Sequence, residues 1–211
     1  MDMELPLIDL CEAKLKRHGF DVIRTPNFHQ SADIIMKLVE KWKPEIVSYG
    51  DSLTLRGTGV LDRIKAMEDI TFYDGFDPSM ERPEKLEIRR KGMMADLFLT
   101  GINGISAEGT LHWTDMIGNR VAPVIFGPRH IILIAGKNKI VSTREEAVER
   151  VRLISPQNAK RHEGFKTPCI HTGKCHDCNS PDRLCNIHVE IARCFPPGRI
   201  TVILVDEEGG F

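Results

Sequence analysis

Five of the six cysteines of this chain crowd toward its C-terminal end, in the pattern Cys169-x5-Cys175-x2-Cys178-x6-Cys185 followed by Cys194. Thiolates converging from one short loop suit tetrahedral Zn(II) or a [4Fe–4S] cluster. Cys175-His176-Asp177-Cys178 is a two-ligand chelate in a tight turn, and Gly173, Asn179 and Pro181 supply bends around it. A zinc ribbon needs two Cys-x2-Cys pairs. One pair with two outlying cysteines favours an iron–sulfur loop, with Cys169, Cys175, Cys178 and Cys185 as metal ligands. Cys194, before Phe195-Pro196-Pro197, is a spare or substitute ligand, and His171, His176 or His188 could replace a thiolate. In a reducing compartment the clustering argues for metal over disulfides. An ion there would contribute on the order of 10 kcal/mol to ordering a tail too poor in apolar residues for its own core.

Three further stretches carry groups for handling an anion. Gly50-Asp51-Ser52-Leu53-Thr54 reads as a strand end running into a helix start, where backbone N–H groups and hydroxyls can receive a phosphate or carboxylate; alternatively Asp51 or Ser52 only caps the helix. In Asn103 to Arg120, Asn119-Arg120 could clamp a carboxylate with the planar guanidinium, or Arg120 and Asp115 could form a structural ion pair. Glu108, between Ala107 and Gly109, is a carboxylate on a turn, the type of group that acts as a nucleophile when desolvated. Lys137-Asn138-Lys139 follows an apolar run and could neutralise a ligand phosphate, or be a solvated turn.

The elements that position these residues follow from periodicity. Leu7, Ile8, Cys11 and Leu15 recur at helical spacing before Gly19. Phe20 to Arg24 reads as a strand, and Ser31 as the N-cap of a helix carrying Ile34, Ile35, Leu38, Val39 and Trp42 that Pro44 stops. Ile46 to Ser48 and Ile70 to Tyr73 read as strands, with helices from about Leu53 and over Glu84 to Met94. Beyond Ala95 the texture is strand-rich: Ala95 to Thr100, Gly-punctuated turns between short strands, Val121 to Phe126, Ile131 to Ala135 and Lys139 to Val141. Ser142 or Thr143 caps a helix with Ala147, Val148, Val151 and Ile154 on its core face. Ser155 to Thr167 reads as a polar linker, and Ile200 to Val205 as a last strand. Strands alternating with helices imply an α/β fold with a helix-covered, largely parallel sheet. The expected division is an α/β domain over 1–166 and a Cys-rich metal-binding segment with the final strand over 167–211.

The chain has 211 residues with 29 Lys plus Arg against 30 Asp plus Glu, a net charge of −1. No basic excess is available for a phosphate backbone, and 6% aromatic residues is low for a base-stacking surface, which excludes nucleic acid as partner. The apolar runs are too short for a membrane span. The acidic start Met1-Asp2-Met3-Glu4 is unlike a signal peptide, so the expected location is the cytoplasm.

From Ala95 onward the chain resembles the LUD (lactate utilisation) domain family. The resemblance is carried by Gly101-Ile102-Asn103-Gly104-Ile105-Ser106-Ala107-Glu108-Gly109-Thr110-Leu111, Gly118-Asn119-Arg120-Val121-Ala122, Phe126-Gly127-Pro128, Gly136-Lys137-Asn138-Lys139-Ile140-Val141, and Ala147 with Arg150-Val151-Arg152. Ser48 to Leu55 sits where the family has a Gly/Ser turn. The resemblance implies a fold like that of phosphosugar isomerases, CoA transferases and formyltetrahydrofolate cyclo-ligase. It also implies a link to lactate oxidation through a multi-subunit iron–sulfur system, hence redox partner subunits. The Gly50 turn is then similar to the phosphate loop of ribose-phosphate isomerases, Lys137 to a lysine in a late loop of the sugar isomerases, and Glu108 to the acyl-carrying glutamate of CoA transferases. The chain lacks the ferredoxin-like Cys-x2-Cys-x2-Cys-x3-Cys-Pro run of the larger member of that system.

The expected function is therefore an iron–sulfur-binding subunit of organic-acid metabolism. Its small anionic metabolite would be bound by Gly50, Asp51, Ser52, Thr54, Asn103, Asn119, Arg120 and Lys139, with Glu108 and Lys137 as candidate catalytic groups. The alternatives are a metabolite-binding assembly module with a structural zinc tail, and an isomerase or CoA-transferase-like enzyme.

Overall fold

The computed structural model describes residues 5–162 and 164–211; the acidic start Met1–Glu4 and Glu163 lie outside the described residues. Its centre is a six-stranded, all-parallel sheet in the order β1 (Asp21–Thr25), β10 (Ile200–Val205), β7 (His130–Gly136), β4 (Leu97–Gly101), β2 (Ile46–Tyr49) and β3 (Thr71–Tyr73). Its inner strands are nearly continuous apolar runs, as a sheet covered on both faces requires. Alternate residues of one strand serve opposite cores: Phe98, Ile131, Leu133, Val202 and Leu204 face one, and Leu97, Leu99, Ile132, Ile134 and Ile203 the other.

The second core is closed by α2 (Phe28–Trp42) and α4 (Val60–Lys65), whose Ile35, Val39, Val60 and Ile64 are buried on it. The first is closed by α1 (Leu7–Arg17), through Cys11 and Leu15, and by a second sheet. That sheet is ordered β8 (Ile140–Val141), β5 (Gly104–Ser106), β6 (Leu111–Asp115), β9 (Ile187–Ile191), with β5–β6 and β6–β9 antiparallel. Trp113 of β6 is fully buried, and its indole N–H donates to the Gly101 carbonyl (2.8 Å), tying the two sheets together. The remaining helices are α3 (Leu53–Arg56), α5 (Arg82–Gly92), α6 (Ala122–Ile125), α7 (Arg144–Lys160) and α8 (Pro168–Thr172). Among the described residues, no helix is long and apolar enough to cross a membrane.

Several expected elements change. Val121 to Phe126 is not a strand: it contains α6, with Pro123 in its first turn, where a residue lacking an N–H fits a helix start but not a ladder. Lys137–Lys139 is a 3-10 turn, so β8 begins only at Ile140. α2 starts three residues before Ser31, because Asn27 is the cap and accepts from the Gln30 N–H (2.9 Å). Thr143 is the cap of α7, as expected, and Glu146 completes a capping box with it, but Val148 is exposed. α7 then runs on to Lys160 through the stretch expected as a linker, burying Ser155, Pro156 and Ala159. β9 was hidden in the Cys-rich stretch: its apolar residues Ile187, Val189 and Ile191 alternate with His188 and Glu190. Residues 187–205 thus supply one strand to each sheet, on either side of Cys194.

Candidate functional site

The C-terminal ends of β2, β4 and β7 point to one side of the main sheet, the side where open parallel sheets receive ligands. Three connections leave from there: the turn after β2 (Gly50 to Thr54), the turn after β4 (Ile102-Asn103), and the 3-10 turn after β7 (Lys137–Lys139). A narrow crevice lies between them, walled by Ser52, Thr54, Asn103, Arg120 and Lys139 and closed on one side by Gly210 and Phe211. Ser52 caps α3 through its Oγ, which accepts from the Leu55 N–H (3.2 Å).

Gly50 is required here. A Cβ at this position would lie 2.5 Å from Cγ of Arg120 and 2.8 Å from Oγ1 of Thr100. The missing side chain lets Arg120 lie across the end of β2. Arg120 arrives from the second sheet and is held by three acceptors: Nε donates to Asp115 Oδ2 (3.2 Å), and Nη2 to Asn103 Oδ1 (2.8 Å) and the Thr114 carbonyl (2.7 Å). Asp115 is itself fixed by the Gly118 N–H (3.0 Å). The ion pair expected of Arg120 and Asp115 therefore exists, and it aims the guanidinium rather than consuming it: Nη1 has no protein partner among the described residues.

Lys139 is the residue at this site that most needs explaining. It is 5% exposed, and its Nζ donates to Oγ1 of Thr54 (2.7 Å), which in turn donates to the Gly209 carbonyl (3.2 Å). No carboxylate pairs with it among the described residues. Burial first, then the positive charges of Arg150 and Arg120, push the amine down to about 7. Arg150 is half-buried, and its Nε lacks any hydrogen-bond partner. Lys139, Arg120 and Arg161 thus face the crevice; Asp115 pairs with Arg120 and Asp51 with Arg161, and Lys139 alone is left without a carboxylate among the described residues. Gly210 makes the closure: a Cβ there would come 2.5 Å from Thr54 Oγ1 and 3.2 Å from Lys139 Nζ.

The crevice adjoins a cavity of about 740 Å³, and Asp51, Arg120, Asn158 and Arg161 line both. Asp51 is shared between Arg56 (3.1 Å) and Arg161. Asn119 lines this wider cavity rather than the crevice. All four of Cys169, Cys175, Cys178 and Cys185 lie in its wall, are partly exposed and are free thiols. Arg183 holds their loop: Nη1 donates to the Cys178 carbonyl (2.8 Å), Nε to the Cys185 carbonyl (3.1 Å) and Nη2 to Asp177 (2.8 Å). Burial raises the Cys185 thiol above its ordinary range, Arg183 counters this, and the nearby Cys175 adds to it. Among the described residues no three His, Cys, Asp or Glu side chains converge as a metal-holding group. Cys194 is elsewhere: it is buried in the first core with Cys11 and donates to the Pro196 carbonyl (3.2 Å).

Two expected residues stand outside. Glu108 is exposed beside the start of α7, where Oε2 accepts from the Arg144 N–H (3.2 Å). Lys137 is exposed and lines neither cavity. Conversely, sequence reasoning missed Arg150, Arg161 and Arg183. Arg161 takes its role from the distant Asp51, Arg183 from the folding of its own loop, and Arg150 from burial, none of which residue type or spacing announces.

No curated protein matches the chain. The structure is similar to the crystal structure of a DUF162 family protein from Deinococcus radiodurans, with a TM-score of 0.55 and 15% identity over 96% of this chain and 99% of that one. The LUD domain family model matches residues 8–205, nearly the whole of both sheets, and the chain belongs to that family.

Proposed function

We propose that this LUD-domain protein serves organic-acid metabolism of the lactate type as an iron–sulfur-binding subunit of a redox system, holding a small carboxylate or phosphate in the crevice at Lys139. The observation that carries the reading is the uncompensated charge of that crevice. A buried ammonium without a counter-ion is strongly unfavourable. The crevice itself holds only about 20 Å³, so an anion seated at its mouth, where Arg120 and Arg161 line both it and the wide cavity, with its negative end toward Lys139, would relieve it. Bound there, the anion restores the lysine's charge, because a neighbouring negative group favours the protonated amine. Arg120 orients the anion, and Gly210 and Phe211 exclude bulk water from its far side.

The metal half rests on donor chemistry. Cys169, Cys175, Cys178 and Cys185 are thiols on one cavity wall, outside both cores, and from 168 to 186 no described side chain is fully buried. A loop without a core of its own is the kind that a metal staples. Those four residues would hold a [4Fe–4S] cluster, which supplies one-electron transfer when bound. Arg183 sets the spacing of the Cys178 and Cys185 backbone. The same lack of a core favours a second reading, a structural zinc tail on a metabolite-binding assembly module. Iron, acid-labile sulfide and zinc measured on anaerobically purified protein separate the two. Iron and sulfide in equal amounts support the cluster, and stoichiometric zinc in a colourless sample refutes the redox role. Thermal shifts with lactate and phosphate test the crevice, since a ligand that binds only the folded chain raises its melting temperature. No shift with native protein at saturating anion would refute the binding.

A further inference from the structure

The wide cavity is far larger than lactate needs, lying in the range that encloses cofactor-sized molecules. Among the described residues, seven Lys and Arg side chains line it against three carboxylates, in a protein whose net charge is −1. The carboxylates are committed: Asp51 to Arg56 and Arg161, Asp115 to Arg120, Asp177 to Arg183. The remainder, Arg82, Lys85 and Arg89, have no carboxylate partner among the described residues. They share one face of α5, three and four residues apart, and all three line the cavity. The acidic residues of the same helix are turned elsewhere: Glu84 accepts from the Glu81 N–H (3.1 Å), Glu87 pairs with Arg90, and neither lines the cavity.

Arg89 is prearranged. Its Nε donates to the Gly75 carbonyl (2.8 Å) and its guanidinium lies 4.2 Å from the ring centroid of Phe76, leaving Nη1 and Nη2 free to meet a ligand. Arg56 approaches the same ring at 5.8 Å. Phe76, with Leu86 below it on α5, offers the cavity an apolar surface beside the cations.

The geometry points to a second anion subsite on α5, built for a diphosphate joined to an organic group such as a nucleoside diphosphate or the diphosphate of coenzyme A. Arg82, Lys85 and Arg89 would meet the diphosphate and Phe76 the organic group. This subsite rests on the reading of the cavity as a ligand site, but it uses residues that the Lys139 crevice does not.

Calorimetric titration of the full chain with lactate, phosphate, pyrophosphate, ADP and coenzyme A tests it. Pyrophosphate should bind about tenfold or more tighter than phosphate, since a charge-assisted hydrogen bond contributes roughly that factor. ADP or coenzyme A should bind tighter still, and the tighter of the two identifies the source. An Arg82→Gln/Lys85→Gln double variant, altered at side chains in no core, should lose about tenfold in pyrophosphate affinity and keep its lactate affinity. Pyrophosphate binding no tighter than phosphate, an unaffected double variant, or organic diphosphates no tighter than pyrophosphate would each overturn the inference while leaving the crevice reading intact. Failure of lactate and phosphate to bind native protein would overturn the crevice reading instead.

Discussion

Replacing Lys139 with methionine should make the folded chain more stable, by an amount that depends on pH in a defined way. The amine is buried against Thr54 and falls from 10.5 to about 7. Each pH unit of such a shift corresponds to about 1.4 kcal/mol, so the charged form disfavours folding by up to about 5 kcal/mol below neutrality. Between about 7 and 10.5 the folded chain has released a proton that the unfolded chain still binds, so native stability rises with pH across that window and is flat below it. Methionine has nearly the same length and no charge. It gives up the hydrogen bond to Thr54, worth about 1 kcal/mol. The variant should therefore unfold at higher urea than native protein at pH 6, by about 2–4 kcal/mol, and the difference should shrink toward zero by pH 10.5. Phosphate at about a hundred times its dissociation constant should return about 2.7 kcal/mol to the native chain and nothing to the variant. A stability difference of the same size at pH 6 and pH 10 would refute the argument, because the effect would then come from packing and not from the proton.

Gly50→Ala should lower stability by about 2 kcal/mol or more and abolish the phosphate-dependent thermal shift, since the new Cβ meets Arg120 Cγ and Thr100 Oγ1 at 2.5 and 2.8 Å. On the proposed cluster, replacing Cys169, Cys175, Cys178 and Cys185 by serine should abolish metal binding and render the chain between 166 and 186 protease-sensitive, while the two-sheet body, read by far-ultraviolet circular dichroism, stays folded. Protection of the loop equal to that of native protein would deny the metal its stapling role. Burial keeps His112 below its ordinary value of 6.5, and Glu190 only partly opposes this. The unfolded chain therefore takes up a proton that the folded chain refuses as pH falls below 6.5, and stability declines there. His112→Gln should flatten that acid limb in urea midpoints taken between pH 7 and 5, even if it weakens the bond to Thr110.

The parallel sheet was legible because its strands are short apolar runs spaced by helix-period segments, and Ile131 to Ala135 or Ile200 to Val205 have no other sensible state. The loop chemistry of the crevice was legible for a different reason: Gly50, Ser52, Asn103 and Lys139 lie in turns that follow such strands, and parallel topology gathers those turns at one edge, where Arg120 joins them from the loop after β6. What stayed hidden depends on tertiary partners. Pro123 turned an apolar run into a helix start. Ser155, Pro156 and Ala159 look polar or helix-breaking in sequence, yet they are buried because α7 packs on the second sheet. Lys137 and Lys139 flank one asparagine and are indistinguishable by type, but the 3-10 turn sends the second inward and leaves the first in solvent. Glu108 looked poised for chemistry on its turn, and its partner proved to be the backbone at the start of a helix.

Two of the buried titratable groups of this molecule make a useful contrast. Cys11 lies in the first core, where burial pushes its thiol up to about 12. It stays neutral at every physiological pH, so its surroundings ask nothing of it beyond shape, and an apolar residue of similar size would serve. Lys139 is buried to a similar degree and has the opposite character. Burial pushes its amine down toward neutrality, its neighbours Arg120 and Arg150 are charged alike, and an uncharged side chain would fold better. Nothing in packing explains an amine there, since Thr54 already has the Gly209 carbonyl as acceptor for its own proton. A position at which stability and residue type conflict this plainly is where function is to be sought. On the proposed function, a negative group entering from the cavity side, past Arg120 and Arg161, would remove the conflict. The same logic separates the crevice from the surface ion pairs around it: Arg24 with Asp206, or Arg63 with Asp33, are satisfied by the chain itself and leave no charge for a ligand to answer.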